Sequence, residues 1–348
     1  MSDSDTCEDV RVGVQGHAGR ITLARPRAIN ALTHAMIRAI SAALASWRDD
    51  DEIECVILDA DGPRGFCAGG DIKAVSLSTL IDGGEGARAL WWDEYRMNAL
   101  LAEYPKPVVS LMNGITYGGG VGLGCHAGPR VVTQDTRLAM PETIIGLVPD
   151  VGGLYLLARA PGELGTHLAL TGLPVGPADA LLCGLADVHT PAGAFPDLAS
   201  ATSWKIVQDI LATWTTTPEP GTLAADQEWI DRCYAGDDVG TIIERLQNDE
   251  HPNATATAKT LLSRSPTSLK ITLRAIRQAR TATLREVLVQ DYRAMAHSLE
   301  RDDVREGIRA QVVDKDRNPR WYPATVDEVD PAEVERAFTV APGGDLTF

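Results

Sequence analysis

Short runs rich in Val and Ile alternate with helical spacing over the first two hundred residues. Ile21–Leu23 and Ile53–Asp59 read as strands. Between them Ile37, Ile40, Leu44 and Trp47 recur at three- and four-residue intervals, which predicts a helix with one apolar face after a Thr33 cap. Val108–Met112 and Arg130–Thr133 repeat the strand signal, so this region reads as α/β. From Pro191 to Gln227 the chain is rich in Pro, Thr and Ala, which puts a soft boundary near residue 200 and one short helix, Trp204–Trp214, inside the stretch. Beyond it the pattern is helical. Ser265-Pro266-Thr267 is a start signal, and helices are expected over Leu269–Ala279, Leu284–Leu299 and Val304–Val313. Leu284, Val287, Leu288, Tyr292, Met295 and Leu299 make one apolar stripe, which reads as core packing. Residues 1–200 and a mainly helical 201–348 are the expected domains.

The 348 residues are 44% apolar, enough for a buried core, and 32 basic against 48 acidic residues give a net charge of −16. Such a chain repels nucleic acid and anionic membranes, so neither is an expected partner. Lys259–Arg320 runs the other way, with 14 basic residues against 8 acidic ones; a solvated face on Arg-rich helices explains this better than a polyanion site. Six cysteines without a C-x-x-C read as reduced and the location as cytoplasmic. Met1–Val10 is acidic and lacks both the apolar core of an export signal and the Arg-rich character of a transit peptide. Pro107–Pro129 holds no charged residue, but its seven glycines, Asn113 and His126 make it buried backbone in preference to a membrane span.

Common catalytic signatures are missing: no G-x-S-x-G, no P-loop, no H-E-x-x-H, and no histidine pair spaced for zinc, so no metal is expected. His126 beside Cys125 reads as a packed residue, because adjacent side chains on a helix diverge. Two glycine-rich turns carry more. Phe66-Cys67-Ala68-Gly69-Gly70-Asp71-Ile72 follows one strand, and Asn113-Gly114-Ile115-Thr116-Tyr117-Gly118-Gly119-Gly120 follows another and opens a helix. Absent side chains let a substrate reach unpaired main-chain N–H groups, the construction of an oxyanion hole; a pair of tight turns is the plainer alternative. Glu142 and Asp150 each follow a proline within the apolar run Met140–Gly153. Acids in such surroundings do acid–base or nucleophilic work, or form structural ion pairs.

In this order the motifs resemble the enoyl-CoA hydratase/isomerase family, the crotonase superfamily. Arg25-Pro26-Arg27-Ala28-Ile29-Asn30-Ala31-Leu32 is similar to its CoA-contacting stretch and the two glycine turns to its oxyanion loops. The resemblance implies a crotonase-type spiral of ββα turns with a helical carboxyl-terminal region and a homo-oligomer, a trimer. It also implies an oxyanion hole from the N–H groups of Ala68 and Gly119, and CoA binding by Arg27, Ala28, Ala68, Gly70, Asp71 and Ile72. Hydratases of the family carry one glutamate two residues past the triple glycine and another in the Pro-Glu segment. Here the first position is Gly122 and only Glu142 remains, with Asp150 eight residues on.

With Asp93-Glu94-Tyr95, the Ser265–Leu273 segment and Asp314–Trp321, that substitution resembles the 3-hydroxyisobutyryl-CoA hydrolase branch. The branch implies hydrolysis of a short 3-hydroxyacyl-CoA in valine catabolism. Glu142 and Asp150 would be catalytic, with Glu94, Gly119, Glu142 and Asp150 touching substrate; CoA arrives as part of the substrate and no cofactor is needed. Tyr117 stands where a Met is common in the branch, which would reshape the acyl pocket. A hydratase or isomerase using Glu142 or Asp150 alone, and a non-catalytic acyl-CoA-binding protein, are the alternatives.

Overall fold

The strand signals become nine strands among residues 7–348, the part of the chain that the computed structural model describes. The first six positions of the leaderless stretch expected over Met1–Val10 lie outside the described residues. In chain order the strands are β1 (Val10–Gln15), β2 (Ala18–Leu23), β3 (Cys55–Ala60), β4 (Gly65–Cys67), β5 (Val108–Met112), β6 (Ile115–Tyr117), β7 (Arg130–Val132), β8 (Arg137–Ala139) and β9 (Val188–His189). The larger sheet has the order β1-β2-β3-β5-β7-β9 and the smaller one β4-β6-β8. Only β1 and β2 pair antiparallel in the larger sheet; β2, β3, β5, β7 and β9 follow one another in parallel. Each of the successive pairs β3–β4, β5–β6 and β7–β8 gives its first strand to the large sheet and its second to the small one. That repetition is the expected ββα spiral.

Residues Cys55–Leu58 of β3 are all essentially inaccessible, as parallel strands covered on both faces must be, and this is why β3 reads as an unbroken apolar run. β1 was not expected from sequence. It is an edge strand with five of its six residues exposed, so no burial pattern marks it. The predicted helix spans His34–Trp47; the Met36 N–H donates to Thr33 Oγ1 at 3.2 Å, and Ile37, Ile40, Leu44 and Trp47 are buried. Leu198, Val207 and Leu211 pack on Ile57, Val109, Leu111 and Val131. They lie on helices Phe195–Ala199 and Trp204–Trp214, so the Pro191–Gln227 stretch holds more than the one helix expected of it. The uncharged Pro107–Pro129 run is buried backbone, with every residue of helix Gly119–Cys125 covered. Among the described residues no helix is long and apolar enough to cross a membrane.

Contacts divide the chain into two compact units. One holds the segments up to Asp71, Asp93–Leu138 and Val175–Gly221; the other holds Ile72–Trp92, Ala139–Pro174 and Thr222–Phe348. The division is therefore interleaved, where the sequence suggests a single boundary at residue 200. Composition marks that boundary, but Gly153–Leu157 and Leu164–Thr171 pack with the later helix Pro266–Ala279, and Ile72–Ile81 packs with Asp302–Ile308. Ser265 caps Pro266–Ala279, and Thr283 with Glu286 forms a capping box on Leu284–Ser298. Part of the basic bias of Lys259–Arg320 is paired inside this second unit. Arg274 pairs with Glu335, Arg277 and Arg280 with Glu163, Arg293 with Asp345, and Arg309 with Glu306, Asp314 and Asp316.

Candidate active site

In the first unit the two glycine turns are laced together by the Arg25–Leu32 segment. Ile29 and Asn30 both adopt left-handed backbone (φ 49° and 53°). This turns the fully buried Asn30 amide inward, where it donates to the carbonyls of Asp61 and Phe66 at 3.0 and 3.1 Å, while its oxygen accepts from the Arg25 N–H at 2.9 Å. The Leu32 N–H donates to Gly69 O and the Asp71 N–H to Leu32 O. The same lacing corrects one expectation. The Ala68 N–H donates to Ile29 O at 2.9 Å, so it is committed to the fold and cannot receive an oxyanion.

A main-chain N–H close to Gly119 belongs to Gly70. Gly119 opens a helix, where N–H groups have no partner in the preceding turn. Neither Gly70 N–H nor Gly119 N–H has an acceptor within the described chain. A Cβ built on Gly119 would lie 3.2 Å from Gly70 N and 2.6 Å from Glu94 Oε1. A side chain at 119 would displace that carboxylate. Two available donors and the carboxylate of Glu94, itself only 2% exposed, thus meet at one place.

Glu142 lies in the second unit, at the first residue of the tight turn Glu142–Ile145, and is 8% exposed. Thr143 Oγ1 donates to Leu170 O, the Ser265 N–H donates to Thr143 O, and the Arg301 guanidinium donates to Gly146 O at 3.0 Å, so the turn is held from three later segments. Asp150 is 5% exposed and begins a second turn in which Val151 and Gly152 have φ of 52° and 71°. The Gly153 N–H closes that turn onto Asp150 O at 2.7 Å, and the Gly152 N–H donates to Asp291 Oδ2 at 2.8 Å. Burial holds the Asp291 carboxyl well above the usual carboxylate range, and the neighbouring charge of Asp150 adds to this; the Gly152 N–H works against both.

The remaining candidates are more peripheral. Arg27 is exposed and Ala28 half-buried; the Asp71 carboxylate pairs with Arg25 at 2.9 Å, and Ile72 opens helix Ile72–Ile81. Half-buried Tyr117 lies on β6. Burial pushes the Cys67 and Cys125 thiols each up to about 12, which disarms both as nucleophiles and removes a Cys125–His126 dyad. Among the described residues no group of three or more His, Cys, Asp or Glu could hold a metal ion. Sequence reasoning missed the clamp formed by Asn30 and missed Asp291. For Asp291 a signal existed: it sits beside Tyr292 on the buried face of the Leu284–Leu299 stripe, a lone acid among apolar positions.

The geometry agrees with what the chain resembles. The profile of a family described as enoyl-CoA hydratase/isomerase matches residues 18–338. The 3-hydroxyisobutyryl-CoA hydrolase, mitochondrial, of Gallus gallus is 37% identical over 99% of this chain and 92% of its own length; that of Xenopus tropicalis is 39% identical over 95% and 89%. Among solved structures, a carnitinyl-CoA dehydratase from Mycobacterium thermoresistibile is 46% identical with a TM-score of 0.94, covering 98% of this chain and 99% of that one. An enoyl-CoA hydratase from Rhodobacter sphaeroides 2.4.1 is 44% identical with a TM-score of 0.92, covering 98% and 100%. The chain belongs to the enoyl-CoA hydratase/isomerase family and has the crotonase fold.

Proposed function

We propose that the protein is an acyl-CoA thioester hydrolase acting on 3-hydroxyisobutyryl-CoA or a similar short 3-hydroxyacyl-CoA, releasing free CoA. The observation that carries this reading is the set of acids. Helix Gly119–Cys125 contributes no carboxylate, because Gly122 occupies the place of a hydratase glutamate, whereas Glu142 and Asp150 are both present and buried. Adding water across a double bond takes a paired base and acid; hydrolysing a thioester takes one nucleophile or base and a stabilised oxyanion. The curated relatives named above support the same choice.

In this mechanism the N–H groups of Gly70 and Gly119 bind the thioester oxygen as it gains charge. Such a donor is worth about 3–4 kcal/mol of transition-state stabilisation. Glu142 attacks the carbonyl carbon and the C–S bond breaks, leaving an anhydride and the CoA thiolate; water then cleaves the anhydride. In the variant of this route Glu142 takes a proton from water, which attacks directly. Asp150 orients the attacking group or the substrate hydroxyl, and Glu94 binds the hydroxyacyl end. Arg27, Ala28, Ala68, Asp71 and Ile72 contact the CoA portion, and no separate cofactor takes part.

The names of the two solved relatives favour a second reading, hydration or dehydration of an enoyl-CoA with Glu142 or Asp150 as the single acid–base group. A free-CoA assay across short acyl-CoAs, with and without a 3-hydroxyl, separates the two: hydrolysis releases thiol with 3-hydroxyacyl substrates, and hydration releases none. Trimeric assembly and a cytoplasmic location belong to the same proposal. The six unpaired cysteines support a reducing compartment, although the curated relatives are named mitochondrial; sedimentation and cell fractionation test these points.

A further inference from the structure

Between Asp150 and Gly153 the backbone takes a conformation that its sequence resists. Val151 has φ of 52°, in the left-handed region where a β-branched side chain crowds the main chain, and strain of this kind persists only where surrounding structure holds it. Two hydrogen bonds are among those that hold it. One is internal, from the Gly153 N–H to Asp150 O. The other comes from 139 residues away, where Asp291 Oδ2, at 2% exposure on helix Leu284–Ser298, accepts from the Gly152 N–H at 2.8 Å. We propose that Asp291 is a positioning residue for the reaction: it pins the strained turn and so fixes the direction in which the Asp150 carboxylate points. This inference rests on the role given to Asp150 above.

The chemistry of the pair supports the assignment. Two buried carboxylates close together cannot both ionise freely. Asp291 is the one held well above the ordinary range, by burial first and by the Asp150 charge second, so it keeps its proton where a normal carboxyl has lost it. Several neighbouring charged and titratable groups among the described residues are engaged elsewhere. Of the groups on the packed segments Gly153–Leu157 and Pro266–Ala279, Tyr155 lies under Arg159, Arg274 and Arg277 pair with Glu335 and Glu163, and Lys270 acts on Asp238. On its own helix, Arg293 pairs with Asp345 and Tyr292 packs edge-on with Trp92.

Asp291→Ala and Asp291→Asn test the proposal, each with a thermal melt, kcat and KM for CoA release from 3-hydroxyisobutyryl-CoA, and a pH profile. Ala frees the Gly152 N–H and is expected to lower kcat roughly ten- to a hundred-fold with a much smaller change in KM, the scale of a misplaced catalytic group. Asn keeps an oxygen for the Gly152 N–H and should restore most of kcat, without the alkaline fall that ionisation of Asp291 gives the wild type. A folded Ala variant with wild-type kcat, or an Asn variant as impaired as Ala, overturns it. If Ala does not fold, the Asn variant decides: near-wild-type turnover without the alkaline fall supports pinning, and loss of turnover overturns it. If the wild type releases no CoA from any 3-hydroxyacyl-CoA, the functional reading has failed. Pinning is then read from hydrogen exchange at the Gly152 amide: faster in Ala than in Asn supports it, and equal rates overturn it.

Discussion

Glu142 carries the most weight of any single residue. Glu142→Gln keeps its shape but removes both the nucleophile and the base, so turnover should vanish while substrate still binds; kcat and a binding titration check this, and near-normal kcat would remove Glu142 from the mechanism. Asp150→Asn replaces an acceptor with a donor in a buried setting. Mispairing of that kind costs about 1–3 kcal/mol, or one to two decades in rate if the contact is made in the transition state. A native-like melt with strongly reduced kcat is expected; unchanged kinetics would assign Asp150 to capping its turn. Both acids were legible in the sequence because Ile, Leu and Val around a carboxylate mark it as buried. Ala68 was misread for a reason sequence does not display. Which N–H of a glycine turn is free depends on what the rest of the chain has already claimed, and Ile29 O claims that of Ala68.

At the scale of elements, the turn from Gly118 into helix Gly119–Cys125 is built on close approach. Gly119→Ala would put a methyl 2.6 Å from Glu94 Oε1, displacing the carboxylate or the backbone that carries the donor N–H. Turnover is expected to fall by at least the two to three decades that losing an oxyanion donor costs, while the melt changes far less. Near-wild-type turnover would show that this N–H is not used. Elements whose apolar faces are covered were readable: Val108–Met112 and Trp204–Trp214 form where their pattern predicts, and Leu269–Ala279 extends back to Pro266, where the Ser-Pro start signal lies. The predicted Val304–Val313 helix instead begins at Asp302 and widens into a π-turn over Arg309–Val313, where Arg309 gathers Glu306, Asp314 and Asp316; this is a matter of charge pairing that hydrophobic periodicity does not report. Edge strand β1 escaped for the opposite reason, having almost nothing buried.

For the whole molecule, the spiral was legible through motif order but the interleaving of the two units was not, since that depends on contacts such as those of Leu164–Thr171 with Pro266–Ala279. The helical unit also sets the acid limit. His167 is buried beside the Tyr234 hydroxyl and the Trp229 ring, and burial lowers it to about 4, with Asp226 opposing. The folded state therefore stays neutral there while the unfolded chain takes up a proton below about 6.5, so stability is lost as pH falls from that value towards 4. The effect is on the order of 3 kcal/mol. Melting temperatures from pH 7 to 4 should drop less steeply in His167→Gln than in the wild type; parallel curves would place the acid-sensitive group elsewhere.

The central claim is that this member of a family of hydratases and isomerases breaks a thioester. The direct measurement follows thiol release and enoyl absorbance together, with 3-hydroxyisobutyryl-CoA in one reaction and crotonyl-CoA in another. Rapid CoA release from the hydroxyacyl substrate with little or no hydration of crotonyl-CoA is the expected result. Rapid hydration of crotonyl-CoA without CoA release from either substrate would contradict it.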